Sequence, residues 1–282
     1  MHVKIDIICP LYNAEDYIIN LDKSLKKQKK VSINSIIYVL TESKDNTEKI
    51  LKENNIKYKK IKKSEFSHSL TREKEAMNSK ADIICFVTQD VVIESDLWLY
   101  HLTKNIINGN SAAAFSRQIS KYNNIEKYTR EKNYPGLSRI VSKADIKKIG
   151  LNTFFFSDAA GAINAKVFKK LNGYDSKNLP ISEDMYFAYK LIMNDYKISY
   201  EAESVVYHSH HFKLKELYDR YKLTGKFFKE NNYLDQYGTT KAGGGLAKYI
   251  LKRALKEGNI KVILRFPFDM GARYIGMKVG KR

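Results

Sequence analysis

Asp82-Ile83-Ile84-Cys85-Phe86-Val87-Thr88-Gln89-Asp90 is the stretch that decides the fold, because an unbroken apolar run ends there in a carboxylate. A short run with no charge reads as a strand buried on both faces, the kind that parallel sheets are made of. In an open α/β sheet, ligands bind just beyond the C-terminal ends of such strands. Asp90 at that edge is either a turn residue or an oxygen ligand for a divalent cation held against a diphosphate. The choice rests on what the rest of the chain brings to the same edge.

Working outward, residues 3–9 read as a strand ending at Pro10-Leu11-Tyr12-Asn13. Residues 14–28 follow as a helix, with Tyr17, Ile18, Leu21 and Leu25 at helical spacing. A second strand over 35–40 leads through Ser43-Lys44-Asp45-Asn46-Thr47 into a helix over 45–53. A third strand over 56–61 and a helix over 71–78 precede the strand that opened this reading. Such alternation predicts βαβ units and a mainly parallel sheet with right-handed crossovers. Asn13, Asp45 and Asp90 are then expected at one edge.

Beyond it, a helix over 95–107 is followed by 121–148, polar and rich in Tyr and Asn, which reads as a partly mobile insertion. Order returns at Thr153. A helix over 165–171 closes at Asn172-Gly173, and Glu183-Asp184 opens another running to about residue 194. Segments 198–200 and 204–207 read as short strands flanking a turn, 214–228 as a helix, and Gly243-Gly244-Gly245 as a flexible joint.

The chain has 282 residues, room for one large domain or two closely packed lobes, and its 43% apolar and 12% aromatic content argues against disorder. No apolar stretch approaches the roughly 20 residues that cross a bilayer. Met1-His2-Val3-Lys4-Ile5-Asp6 enters a strand pattern at once, so a cytoplasmic protein is expected. Cys9 and Cys85 sit inside strand-like runs as buried thiols. The net charge of +19 calls for an acidic partner: nucleic acid, anionic lipid or a nucleotide diphosphate. Much of it lies in the tail, where eleven basic residues from Lys241 to Arg282 face only Glu257 and Asp269. Helical segments over 246–255 and 260–268 mix these with apolar side chains, the pattern of a helix pair lying on an anionic membrane or packed on the body with a solvated basic face. A nonenzymatic basic module for RNA or anionic lipid accounts for the charge but leaves the strand-end carboxylates unexplained. The few aromatics among the tail's basic residues argue against nucleic acid.

Glu183-Asp184 after Ser182 reads as an ordinary helix cap or as an acid pair holding a general base. His208, His210 and His211 cluster at a strand exit, and manganese accepts imidazole as well as carboxylate. Arg72 and His68 are candidates for phosphate contacts. Ser157-Asp158, leading into Ala159-Ala160-Gly161-Ala162, forms either a tight turn or a close contact to a sugar.

These motifs together resemble family 2 glycosyltransferases of the GT-A fold. Ile7-Ile8-Cys9-Pro10-Leu11-Tyr12-Asn13 resembles their opening strand, and Ser43-Lys44-Asp45-Asn46-Thr47 their second-strand turn. Thr71-Arg72-Glu73 stands where the family has a Thr/Ala-Arg-Asn signature, and Thr88-Gln89-Asp90 where it has the Asp-x-Asp metal motif. Gly173-Tyr174-Asp175, Glu183-Asp184 and His208-Ser209-His210 follow in the family's order. Thr-Gln-Asp with His-Ser-His, before a helix holding Tyr218, Arg220, Tyr221 and Gly225, is similar to the rhamnosyltransferase-like branch. Two departures stand out. Leu40-Thr41-Glu42 replaces the usual second-strand acid, leaving Glu42 or Asp45 to substitute, and Glu73 adds a negative charge beside Arg72.

The resemblance implies a GT-A (Rossmann-like) α/β fold, a mainly parallel sheet with helices on both faces, plus a C-terminal helical basic extension. Residues 1–107 would form the nucleotide-sugar-binding half, 108–212 the acceptor-binding and catalytic half, and 213–282 a membrane-associating extension. It implies an inverting, metal-dependent transferase of a deoxyhexose such as rhamnose, from a dTDP- or UDP-linked donor to a lipid-linked glycan in capsule or O-antigen synthesis. Asp184 would be the base and Glu183 its neighbour in the site. Pro10, Tyr12, Asn13, Glu42, Asp45, Arg72, Gln89, Ser157 and Asp158 would bind the donor. Asp90, His208 and His210 would bind Mn²⁺ or Mg²⁺. The enzyme would work at the inner face of the plasma membrane.

Overall fold

Apolar side chains alternate along the first and fourth strands, and this alternation divides the core between two faces of one sheet. Ile8, Ile84 and Phe86 pack on one face, with Ala76, Phe168, Phe187 and Leu191 of the helices there. Ile5, Ile7, Cys9, Ile83, Cys85 and Val87 pack on the other, with Ile18, Leu21, Leu51, Trp98 and Leu102. Burial on both sides is why these strands read as continuous apolar runs.

The computed structural model describes residues 3–282, and the side chains of all but 239–242. The strands are β1 (Lys4–Leu11), β2 (Ser32–Thr41), β3 (Tyr58–Ile61), β4 (Ile83–Val87), β5 (Ala113–Ile119), β6 (Arg139–Val141), β7 (Ala160–Asn164) and β8 (Ile198–Tyr207). They form one eight-stranded sheet in the order β3-β2-β1-β4-β7-β5-β8-β6. The first helices are α1 (Ile18–Lys26), α2 (Thr47–Glu53), α3 (His68–Asn78), α4 (Trp98–Ile107), α5 (Ile125–Asn133) and α6 (Ile146–Ile149). After them come α7 (Ala165–Lys170), α8 (Glu183–Met193), α9 (Leu214–Glu230), α10 (Thr239–Lys256) and α11 (Ile260–Lys281). β1 pairs in parallel with β2 and β4, β2 with β3, and β5 with β8. β7 runs against both β4 and β5, and β6 against β8. The C-terminal ends of β1, β2, β4, β5 and β8 therefore share one edge with the N-terminal end of β7.

Three local expectations are corrected. Residues 121–148 are not a mobile insertion: they hold α5, β6 and α6, and Ile125 and Tyr128 are buried. Its short apolar pattern is masked by charged neighbours that make ion pairs. The two short strands after α8 are one strand, β8, whose register against β5 shifts beside Ser116/Arg117 where a turn was expected. Gly243-Gly244-Gly245 is no joint, since α10 runs through it; Ile250 and Ala254 further along α10 pack on α5.

The tail is docked on the body. α9 and α11 touch backbone to backbone through glycines. A Cβ on Gly225 would lie 2.4 Å from Met277 O, one on Gly276 2.5 Å from Tyr218 O, and one on Gly280 2.0 Å from Lys222 O. Several tail cations are paired internally: Arg253 with Glu131, Arg265 with Asp269, Arg273 with Glu126 and Lys281 with Asp235. Lys241 lies outside the described side chains. Leu246, Tyr249, Ile263 and Phe266 pack inward with Ile250. Leu255, Ile260, Leu264, Phe268, Tyr274 and Ile275 stay 54–68% exposed. Among the described residues no helix is long and apolar enough to cross a membrane.

Candidate active site

A cavity of about 810 Å³ opens at the shared sheet edge. Two straps hold its loops together, one through a side chain and one through the backbone. Gln89 accepts from Tyr12 N at 2.7 Å and donates to Tyr12 O at 2.8 Å, tying the loop after β4 to the loop after β1. A bridge between Val92 and Tyr207 then draws the 88–92 loop against the end of β8.

That bridge brings Asp90 to the histidines. His208 Nε2 lies 3.4 Å and His210 Nδ1 3.8 Å from Asp90 Oδ2. One ligand atom from each residue falls within 4.8 Å of the others. Burial opposes ionisation of Asp90, but the neighbouring histidines outweigh it and hold the carboxyl well below the usual carboxylate range. Burial and the nearby His208 push His210 down to about 4, so its ring is neutral at pH 7. His208 Nδ1 meets Gln118 Oε1 at 2.9 Å, a contact from behind the ring that turns Nε2 toward Asp90. One carboxylate and two imidazoles, one oriented from behind, fit a manganese-type cation.

Elsewhere in the cavity wall Ser182 has a left-handed backbone, φ 62°, and its side chain makes no capping bond. The simple cap reading of Ser182-Glu183-Asp184 therefore does not describe this helix start. Glu183, next in the chain, meets Arg72, whose Nη1 lies 3.1 Å from Glu183 Oε1 and 2.8 Å from His68 O. Asp184 accepts from Met185 N at 2.7 Å. Burial, then the charges of Glu183 and Asp158, raise its pKa well above the ordinary value. Asp158 accepts from Tyr174 OH at 2.6 Å, while its Oδ1 is buried without a partner, as is Arg72 Nε. Burial, with Arg72 opposing, pushes Asp158 up to about 7.

The cavity wall thus gathers Pro10, Tyr12, Arg72, Gln89, Asp90, Ser157, Asp158, Glu183, Asp184, His208 and His210. Asn13, Glu42 and Asp45 are not in it. Asn13 bonds to Ser43 and Lys44. Asp45 accepts from Glu15 N and from Thr47, fastening the two loops. Glu42 is exposed, whereas Thr41 beside it is buried in the wall with an unpartnered Oγ1. Glu73 also turns away: it accepts from Tyr174 N at 2.6 Å, and a Cβ on Gly173 would sit 2.7 Å from its Oε1. Sequence reasoning missed Thr41, Gln118, Arg130 and Tyr134. Of these, Gln118 had a weak signal as a polar residue near the end of β5.

The sequence model described as "Glycosyl transferase family 2" matches residues 6–172. The chain belongs to that family. It is a glycosyltransferase, and the nonenzymatic basic module finds no support. It is similar to the O-antigen chain rhamnosyltransferase RfbN of Salmonella typhimurium, with 32% identity over 99% of this chain and 90% of that protein. It is also similar to the O-antigen chain rhamnosyltransferase WbaN of Salmonella anatum, with 30% identity over 98% of this chain and 88% of that one. Among solved structures, the mannosyltransferase PcManGT of Pyrobaculum calidifontis, in complex with GDP-Man and Mn²⁺, shares the fold at a TM-score of 0.64. Identity is 13%, covering 100% of this chain and 87% of that one.

Proposed function

We propose that this enzyme transfers a deoxyhexose, rhamnose, from a dTDP- or UDP-linked donor to a lipid-linked glycan of a surface polysaccharide, with inversion at the anomeric carbon. The observation that carries this reading is one cavity lined by both a cation-ligand set and a buried carboxylate with a raised pKa. Kinship with the two O-antigen rhamnosyltransferases supports the sugar and the pathway class.

In this reading Asp90, His208 and His210 hold Mn²⁺ or Mg²⁺, which when bound offsets the charge gathering on the departing nucleoside diphosphate. Pro10, Thr41, Tyr12 and Gln89 border the nucleoside, and Arg72 lies toward the sugar. Asp158, with its unpartnered Oδ1, accepts a hydrogen bond from a sugar hydroxyl. Asp184 takes the proton from the acceptor hydroxyl as that oxygen bonds to the anomeric carbon. The diphosphate leaves from the opposite face, so configuration inverts. Glu183 holds Arg72 beside the base. Residues 1–107 serve the donor and 108–212 the acceptor. Residues 213–282 dock the enzyme on the inner face of the plasma membrane through the exposed stripe of α11 and the basic residues around it.

The test is a transfer assay over dTDP-, UDP- and GDP-linked sugars with Mn²⁺ or Mg²⁺, the product anomer read by NMR. Transfer from dTDP-rhamnose giving the opposite anomer is expected. Retained configuration, or turnover confined to another sugar, contradicts the reading.

A further inference from the structure

Beside the active-site cavity, sharing Gln118, Arg130 and Tyr134 with it, lies a second recess of about 440 Å³ between the end of β5 and α5. Its charged wall residues are Arg117, Lys121, Lys127, Arg130 and Glu131. Three of these are already compensated. Lys127 pairs with Glu257 at 2.5 Å, Arg130 with Glu126 at 3.6 Å, and Glu131 with Arg253 at 3.3 Å. Among the described residues the side chains of Arg117 and Lys121 have no ion pair and no hydrogen bond. A concave site with two uncompensated cations takes an anion of matching charge, and a phosphate ester suits an Arg–Lys pair.

What borders the recess narrows the ligand further. Asn123 in its wall accepts from Asn259 Nδ2 at 3.1 Å, and Asn259 caps α11. Ile260 follows Asn259 directly in the chain, and Leu255, Ile260 and Leu264 are 58%, 67% and 68% exposed. The recess therefore joins the catalytic cavity through Gln118, Arg130 and Tyr134 and the start of α11, whose first residues include bare apolar side chains, through Asn123.

We propose that this recess binds the phosphate or diphosphate of the acceptor, with the glycan reaching into the catalytic cavity and an apolar chain leaving over Leu255, Ile260 and Leu264. The proposal rests on the acceptor reading above and names the group that anchors it. Arg117 and Lys121 are then specificity residues for an anionic, lipid-bearing acceptor, distinct from the residues that hold the donor.

Binding of two probes to the full chain in EDTA tests it: inorganic diphosphate and farnesyl diphosphate. R117A/K121A should weaken both by about tenfold or more. R117K/K121R, which keeps the charge, should bind both as the wild type does. L255S/I260S/L264S should weaken farnesyl diphosphate and leave inorganic diphosphate alone. Equal binding by wild type and R117A/K121A overturns the proposal, and so does loss of binding in R117K/K121R. If L255S/I260S/L264S binds farnesyl diphosphate normally, the recess is a free-phosphate site and the lipid part is wrong. No sugar nucleotide is used, so the two readings fail separately. Probe binding without sugar transfer refutes the proposed function and leaves the recess standing; transfer without probe binding does the reverse.

Discussion

His208 and Gln118 are joined through Nδ1 and Oε1 at 2.9 Å, and this contact turns the other ring nitrogen toward Asp90. Gln118 also donates to Ser157 Oγ at 2.8 Å, so one buried amide ties the cation-ligand set to the wall assigned to the sugar. Removing the partner behind a metal-binding histidine costs about 10–100-fold in affinity. Gln118→Leu should weaken Mn²⁺ binding by that range while nucleotide binding in EDTA stays unchanged. An unaltered Mn²⁺ affinity would show that His208 is not oriented by this contact.

Asp158 gives a pH signature. Its pKa is about 7 in the fold and ~3.9 in an unfolded chain, so between these values the folded state holds the extra proton. Its contribution to stability is present below about pH 4 and is lost as pH rises through about 7. The melting temperature of the metal-free wild type, relative to Asp158→Asn, should therefore fall across that window. A difference that stays flat or rises rules out the raised carboxyl.

The glycine contacts of the tail can be tested against each other. Gly280→Ala places a Cβ 2.0 Å from Lys222 O and should destabilise the protein by about 1–3 kcal/mol. Gly243→Ala meets nothing within 4 Å in the interior of α10 and should be neutral or stabilising by up to about 1 kcal/mol. Thermal melts of both variants decide. Similar melting temperatures would mean that α9 and α11 do not make this contact.

Membrane docking is expected to use the outer stripe of α11. I260S/L264S/F268S should lower co-sedimentation with anionic vesicles and leave the melting temperature near the wild-type value, because these side chains are already exposed. Added salt should weaken wild-type binding as well. Equal sedimentation of both proteins, or indifference to lipid charge, would leave the stripe without this role.

How much was legible follows from what each signal depends on. β4 was readable because burial on both faces leaves it wholly apolar, and β1 because only Lys4 at its start and Asp6, held by Asn34 and Ser79, interrupt the same pattern. Asp90, His208 and His210 were readable because strand ends and spacing place them at one edge. Asp45 was misplaced, since the pattern shows that a carboxylate follows β2 but not that Glu15 and Thr47 will bind it. Thr41 was passed over because a threonine at a strand end carries no charge to notice. The docking of the tail hung on glycine-to-backbone contacts, and spacing along one helix does not reveal which partner helix those glycines face. The apolar residues of α10 and α11 were visible as a set, but only packing separates inward Ile250 from outward Leu264.

The most direct measurement compares Asp90→Asn and Asp184→Asn side by side, reading donor binding with Mn²⁺ and in EDTA together with sugar transfer. The account predicts that Asp90→Asn loses the Mn²⁺-dependent part of donor binding, and transfer with it. Asp184→Asn should bind donor normally, melt near the wild type and lose about 10²–10⁴-fold in turnover. Near-normal turnover in Asp184→Asn, or equal loss of donor binding by Asp90→Asn with Mn²⁺ and in EDTA, would contradict the division of roles in this cavity between a cation-ligand set and a base.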